Sequence, residues 1–288
     1  MTSAPLPCFE LSWLGGPAEA HVAEHRRGVD DLPWNTLDRS RFSPDVLDRA
    51  RLAWTVSAHQ EWCAAASFAA LLRAMLEARA PLDLIGMASR FVADEVVHTE
   101  LNARMAAEVG GGAPLRTDPE ALVPEVDPDL DALERACALG IAVSCVGETF
   151  SLPVLAGTRA VASEPLVKAV LHRIVVDEAP HGRVGWILLD WALPRLSAAS
   201  RERLAEVADR ALLALEREWS GASDATLAEH GLPAETLHAL GWMTPDAYRR
   251  VAHNTVRDRI VEPLRRRGVP ASLPPSVAPG LSPAPAPS

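Results

Sequence analysis

The chain has 288 residues, 48% of them apolar, with 38 acidic against 28 basic side chains and a net charge of −10. That length suits one large domain or two small ones, and the apolar share is ample for a core. The acidic balance argues against a nucleic-acid partner, and a composition with one Tyr and five Phe, dominated by Ala, Leu, Arg and Glu, favours helix over strand.

Residues 1–42 mix Pro, Gly and charge with Trp13 and Trp34 and predict an extended arm laid on the domain. Ser43-Pro44-Asp45 is a helix start, with a cap, a proline at the first position and an acid in the first turn. The helix it opens runs to about Ala80-Pro81 and carries Glu61 near its middle. A second helix spans about Leu82 to Val109, contains Asp94-Glu95-Val96-Val97-His98, and is stopped by Gly110-Gly111-Gly112. The proline-rich stretch 113–128 predicts a loop. A third helix runs from about Leu130 to Ala156 with Glu148 inside it, and a fourth from about Glu164 to Ala192 with Asp177-Glu178-Ala179-Pro180-His181. Ser197–Trp219 and Thr244–Arg267 are helical, with a broken stretch between them. Residues 268–288 are rich in Pro, Ala and Ser and predict a disordered tail.

The repeated Asp-Glu-x-x-His is the informative signal. With 21 Glu and 9 His, composition alone predicts less than one Glu-x-x-His, and requiring a preceding Asp makes even one copy rare. A third Glu-x-x-His, Glu235 to His238, lacks the Asp and follows Pro233 near a turn, so both residues are expected at the surface. Glu at i and His at i+3 project from one helix face, about 60° and one turn apart, and can reach one metal ion. Two such helices, each partnered by a helix supplying one more Glu, make the ligand set of a carboxylate-bridged dimetal bundle.

Connection lengths agree. The turns near Pro81 and near 159–163 are short, so helices one and two, and three and four, are expected to be antiparallel. The loop at 113–128 extends to roughly 50 Å, enough to run along a ~40 Å bundle and leave helices two and three parallel. The expected architecture is all-α: a ferritin-like four-helix bundle over 43–193, with two or more additional C-terminal helices over 194–267. At mid-bundle, Glu61 is the carboxylate of helix one, since Glu77 lies at its far end. Glu148 is that of helix three, since Glu134 lies near its start. The expected metal ligands are Glu61, Glu95, His98, Glu148, Glu178 and His181. Small and apolar neighbours such as Cys63–Phe68 and Ala142–Val146 would bury these acids, and ligation offsets the cost of burial. Oxygen and imidazole donors suit two iron or manganese ions, with zinc possible by affinity.

Asp94 and Asp177 each lie four residues before their own His, where an intrahelical bond to the second ring nitrogen is possible. With these residues the chain resembles the di-iron carboxylate superfamily, whose bacterial hydrocarbon monooxygenases repeat Asp-Glu-x-x-His. The resemblance covers roughly 44–193, and it implies that the bonds cross between helices, Asp94 to His181 and Asp177 to His98. It also implies O2 as co-substrate, an external electron donor and a small-molecule substrate. A likeness to aryl-amine N-oxygenases is incomplete: the additional His expected one turn before the fourth-helix Glu is Ile174 here, and His172 is on another face. The only Tyr, Tyr248, lies outside the four-helix core, which argues against a tyrosyl-radical reductase subunit.

An O2-activating di-iron oxidase or oxygenase is the leading expectation. A ferroxidase, an iron carrier, a dimanganese catalase-like scavenger and a metal-free helical interaction protein are the alternatives. Helix geometry places Ser57, Ala65, Phe91, Cys145, Leu152 and Ile174 one turn from ligands, where they could line a substrate pocket. Pro153 and Pro180 predict local bends beside the ligands. No uninterrupted apolar run approaches the ~20 residues of a membrane span. The N-terminus has no basic segment leading into an apolar stretch, so a cytoplasmic protein without a membrane partner is expected; a homodimer stays open. Cys8, Cys63, Cys137 and Cys145 form no Cys-x-x-Cys pair, which excludes a rubredoxin-type iron site and argues against a disulfide framework.

Overall fold

A computed structural model describes residues 6–221 and 223–278. Among them there is helix and no strand, only an isolated bridge between Cys8 and Arg116. The N-terminal arm contains a short helix, α1 (Gly16–Val22), and turns, so it is not extended throughout. It is held on the domain by Arg26, which clamps Glu100 at 2.6 and 2.7 Å, and by Val29, which is fully buried.

The first long helix, α2 (Pro44–Glu77), begins as its sequence requires: the Ser43 hydroxyl accepts from the Val46 amide and Pro44 fills the first turn. After a tight turn through Arg79 (φ 53°) comes α3 (Leu82–Glu108), which ends on Gly110 and Gly111 at positive φ. Phe68 meets Phe91 edge-on and Asn102 reaches Glu61, so α2 and α3 run antiparallel. The crossover loop then pairs with the arm, Phe9 and Thr117 donating to Leu115 and Pro7.

The third long helix is α4 (Ala132–Gly140), a wide π-helical stretch over Ile141–Glu148, and α5 (Thr149–Val161). The fourth is α6 (Pro165–Glu178) and α7 (His181–Ala192), interrupted at Ala179 and Pro180. The break at Pro180 is where the missing N–H predicts it. Pro153, by contrast, lies inside an unbroken α5, and the irregular turn precedes it. Arg135 beside Glu77 shows α4 antiparallel to α2. Arg159 beside His172 and Ser144 beside His181 pair the third and fourth helices in the same way. Helices two and three therefore run parallel, as the long crossover allows.

The C-terminal region adds α8 (Ala198–Glu216), α9 (Asp224–Glu229), α10 (Ala234–Leu240) and α11 (Pro245–Thr255). A π-helical turn over Val256–Val261 leads on to α12 (Glu262–Arg266). Of these, α8, the π-helical turn and α12 pack on α4, α5 and α7 through Val207, Leu212, Ile260 and Leu264, whereas α9 and α10 pack with α2, α3 and α6 through Leu227, Leu237 and Leu240. The disordered tail expected from residue 268 needs correction. Val269 and Ala271 are buried in that core, and the Ser272 and Ser276 amides donate to Asp209 and Glu216. A Pro/Ala/Ser composition concealed these anchors; residues 279–288 of that expectation lie outside the described residues.

One helical segment is more apolar than the sequence reading of membrane spans allowed: Ala132–Val161 is long and apolar enough to cross a bilayer, and 56% of its most apolar part is buried inside the fold. A core helix packed on several sides reads this way. Single charged residues interrupt the run, which is why no continuous apolar stretch showed it.

Two helices approach closely beside the histidines. Ser144 Oγ donates to the His181 carbonyl at 2.7 Å and accepts from the Gly185 amide at 2.9 Å. A Cβ on Gly185 would sit 2.6 Å from the Gly140 carbonyl and 2.7 Å from Cys145 Sγ. Gly185→Ala is therefore expected to destabilise by about 1–3 kcal/mol through overpacking. Gly182→Ala, whose nearest neighbours stand at 3.6 Å, is expected to be neutral or slightly stabilising. Urea unfolding of both variants checks this contrast.

Candidate metal centre

Six side chains from five helical segments meet at mid-height. Glu61 comes from α2, Glu95 and His98 from α3, Glu148 from the last position of the wide turn, Glu178 from the end of α6, and His181 from the start of α7. Glu95, His98, Glu178 and His181 are at most 2% exposed and Glu148 is 8% exposed; Glu61 is half-buried. Their ligand atoms form two overlapping groups, Glu61–Glu95–His98–Glu178 and Glu95–Glu148–Glu178–His181, each within 4.8 Å. Glu95 and Glu178 belong to both. All six residues expected from the sequence are thus brought together.

Each imidazole turns one nitrogen inward. His98 Nδ1 lies 2.9 Å from Glu178 and 3.4 Å from Glu95. His181 Nδ1 lies 2.9 Å from Glu95 and 3.0 Å from Glu178. The opposite nitrogens face aspartates on the other helix: His181 Nε2 is 3.4 Å from Asp94, and His98 Nε2 is 3.5 Å from Asp177. The structure thus pairs each His with the Asp of the other motif and not with its own. Behind each Asp stands an arginine four residues earlier: Arg173 donates to Asp177 at 2.7 Å, and Arg90 lies 3.7 Å from Asp94. The sequence reading missed both arginines. Their signal was present, since Arg90 to His98 and Arg173 to His181 share the longer pattern Arg-x-x-x-Asp-Glu-x-x-His. It also missed Asn102, which donates to Glu61 at 3.3 Å, and Ser151, which donates to Glu148 at 3.1 Å.

The electrostatics are those of a cluster with too many negative groups in a small dry space. Burial, and then the neighbouring Glu95, push the Glu61 carboxyl well above its ordinary range. Burial and Glu178 do the same to Glu148. Burial disfavours a charged imidazole, yet the close Asp177, Glu178 and Glu95 outweigh it and hold His98 well above its ordinary value. His181, against the same opposing burial, is pushed up to about 12 by Asp94, Glu178 and Glu95. Although burial works the other way, the two imidazoles hold Glu178 well below the usual carboxylate range. In the metal-free protein, protons therefore supply the positive charge the carboxylates need.

Hydrogen bonding does not account for the arrangement. Both Glu95 oxygens, Glu178 Oε2, His181 Nδ1 and His98 Nδ1 are buried without an aligned hydrogen-bond partner. They are close in distance but point at shared space and not at one another. Buried polar atoms in native proteins rarely stay unsatisfied, and a pair of cations among them would satisfy all of these inward-facing atoms. Four carboxylates and two imidazoles match two divalent ions in charge and suit iron or manganese in donor type.

The remaining sequence candidates separate from this cluster. Glu235 is exposed and His238 half-buried on α10, away from both groups. His172 is exposed and paired with Arg159. Of the six expected pocket residues, only Ser57 lines the large cavity that reaches Glu61, Glu148 and Glu178. Ala65, Cys145, Leu152 and Ile174 do not, and Phe91 instead packs on the His181 ring at 4.3 Å. Sequence spacing found the correct helices but could not tell the side facing the histidines from the side facing the cavity. That cavity, about 690 Å³, is walled on its outer side by Trp219, Leu237, Trp242, Met243 and Tyr248 from the C-terminal region.

Loss of an aspartate should loosen its histidine without removing a ligand. Asp94→Asn and Asp177→Asn are each expected to weaken metal binding about 10–100-fold, measured by competition with a chromophoric chelator. Unchanged affinity in both would remove the aspartates from the site. Comparison of the chain with protein-family models, curated proteins and solved structures gives no match.

Proposed function

We propose that the chain is a non-haem di-iron oxidase or oxygenase on a ferritin-like four-helix bundle, oxidising a small organic substrate with O2. The supporting observation is the convergence of unpartnered, buried Glu95, Glu178, His98 and His181 atoms on a space shared by two four-residue groups. In this proposal Glu61, Glu95 and His98 would hold one iron and Glu148, Glu178 and His181 the other, with Glu95 and Glu178 common to both groups.

When bound, a ferrous pair supplies the electrons that reduce O2 for attack on the substrate. The chain's own groups orient, exclude and admit. Asp94 and Asp177 hold the outer ring nitrogens, so each imidazole presents Nδ1 inward. Asn102 and Ser151 fix the Glu61 and Glu148 carboxylates by hydrogen bonds. Phe68 and Phe91 pack on His181 and close that side to water. The opposite side, formed by Glu61, Glu148 and Glu178, opens on the cavity, and a substrate approaches there. A largely apolar chamber beside the site, open to solvent at its rim, favours oxidation of an organic molecule over storage, because mineral growth needs a polar exit. An external electron donor is required for repeated turnover.

Anaerobic loading with ferrous iron followed by O2 tests the proposal. The expected result is uptake of about two iron per chain and O2 consumption that stops once this iron is oxidised. Iron accumulation far beyond that ratio would identify a ferroxidase or store, and rapid O2 release from added peroxide a catalase.

A further inference from the structure

The cavity also carries information about what enters it. Its inner end is the carboxylate edge of the cluster, Glu61, Glu148 and Glu178. Among the described residues its only basic lining residue, Arg217, is exposed at the rim beside the equally exposed Glu218. Between rim and carboxylates the polar lining is neutral, with Ser57, Thr158 and Ser151 among it. A charge held between the rim and the cluster would face only neutral side chains there and would lose its hydration. The walls are aromatic on two sides. Trp54 and Trp242 pair at 5.3 Å, and Phe150 contacts Trp219 at 5.5 Å and Tyr248 at 6.3 Å. The volume of about 690 Å³ lies within the roughly 300–1,000 Å³ range of pockets for small organic ligands.

We propose that this chamber binds an uncharged compound with an aromatic ring system, held between the Trp54–Trp242 and Phe150–Trp219–Tyr248 groups. Its reacting edge faces Glu61 and Glu148. Aromatic walls select flat rings through stacked and edge-on contacts that a flexible chain does not make, and the neutral lining between rim and cluster disfavours a charged group on the ring body. The C-terminal region, outside the four long helices, thereby gains a role: α8 to α11 form the outer half of the chamber and tune what fits. Trp242 is a specificity-determining residue, carried by the turn after α10. The backbone there is fixed by Trp54, whose indole N–H donates to the Leu240 carbonyl at 3.2 Å. Gly241 at φ 97° lies beside it; a Cβ there would meet Trp54 at 2.8 Å and Val167 at 2.9 Å. Only the position of the reacting edge rests on the di-iron proposal; the chamber itself does not.

Binding of three probes to the full-length chain tests this, followed by tryptophan fluorescence and calorimetry. The probes are 2-naphthol (neutral, aromatic), 2-naphthoate (the same ring, charged) and 1-decanol (neutral, aliphatic). The expected result is saturable binding of 2-naphthol at about one per chain, at least about tenfold tighter than either other probe. Trp242→Ala should weaken it about tenfold and Trp242→Phe should restore most of the loss. Leu227→Trp, which fills the chamber from its half-buried rim, should abolish binding while the helical circular dichroism is unchanged. In the Co(II)-loaded protein, 2-naphthol should shift the visible cobalt bands. Tighter binding of 1-decanol or 2-naphthoate, or 2-naphthol affinity indifferent to both Trp242→Ala and Leu227→Trp, would overturn the proposal. The two proposals fail separately. Chamber-dependent 2-naphthol binding in a protein that takes up no metal would sink the di-iron centre alone. Two Co(II) per chain with no 2-naphthol binding would sink the chamber assignment alone.

Discussion

Glu178→Ala is expected to empty the whole centre, reducing bound iron from about two ions per chain to well below one. Glu178 belongs to both four-residue groups and stands 2.9 and 3.0 Å from the two inward-facing ring nitrogens. Its loss removes a donor from each ion and the charge that draws both imidazoles together. Glu95→Ala should behave the same way for the same reason. Glu61→Ala and Glu148→Ala are different, because each belongs to one group only. Each should leave about one ion per chain, held by the other group. O2 consumption should fall at least about 100-fold in all four variants, because two-electron chemistry needs the pair. Elemental analysis of folded protein, with Glu178→Gln as the isosteric control, reads this pattern directly. A Glu178→Ala protein that kept two ions would show that the shared position is not a bridge.

Removal of metal should cost the protein much of its thermal stability. A ligand that binds only the folded state at a thousand times its dissociation constant adds about 4 kcal/mol, equivalent to roughly 8–16 °C in Tm for a domain of this size. The loss should depend on pH, and its sign follows from the carboxylates. Glu61 and Glu148 are held protonated well above their ordinary value of 4.5 when folded. Above that value the unfolded chain has released these protons while the folded chain keeps them, so metal-free stability falls as pH rises. His98 and His181 act in the same direction above their ordinary value of 6.5, since both are raised in the fold. Glu178, whose pKa is lowered, contributes stability that is lost only as pH falls below 4.5. Between about pH 5 and 9 the metal-free protein should therefore lose stability steadily with rising pH. The metal-loaded protein should not, because cations have replaced the protons. Calorimetric melting of both forms across that range should show a widening gap; a constant gap would mean the carboxylates do not face a metal.

Much of this was readable from the chain because the constraints are local. Ser43-Pro44 starts a helix wherever it stands before an apolar pattern, and Gly110-Gly111 ends one. The i, i+3 spacing of Glu95 and His98 sets their shared face without reference to the rest of the fold. Glu61 and Glu148 were legible for a different reason: acids among small and apolar neighbours have few places to go other than a buried site. What no single-helix pattern encodes is different. The crossed pairing of Asp94 with His181 depends on how α3 packs on α6 and α7, and only the family resemblance implied it. The chamber depends on where α8 to α11 fold back, so of the six residues that helix spacing placed one turn from ligands only Ser57 reaches it. The wide turn over Ile141–Glu148 has no compositional marker of its own, and Val269 and Ala271 anchor a segment whose composition reads as disordered. Arg90 and Arg173 are the exception, since the longer repeat that contains them was visible in the sequence.

The most direct test of a carboxylate-bridged pair is Mössbauer spectroscopy of the full-length protein loaded anaerobically with about two equivalents of 57Fe(II) and then exposed to O2. Two bridged ferric ions per chain should be antiferromagnetically coupled, giving a diamagnetic ground state with no mononuclear ferric signal by electron paramagnetic resonance. Isolated high-spin ferric ions, or iron that washes away on desalting, would contradict the centre built on Glu95 and Glu178.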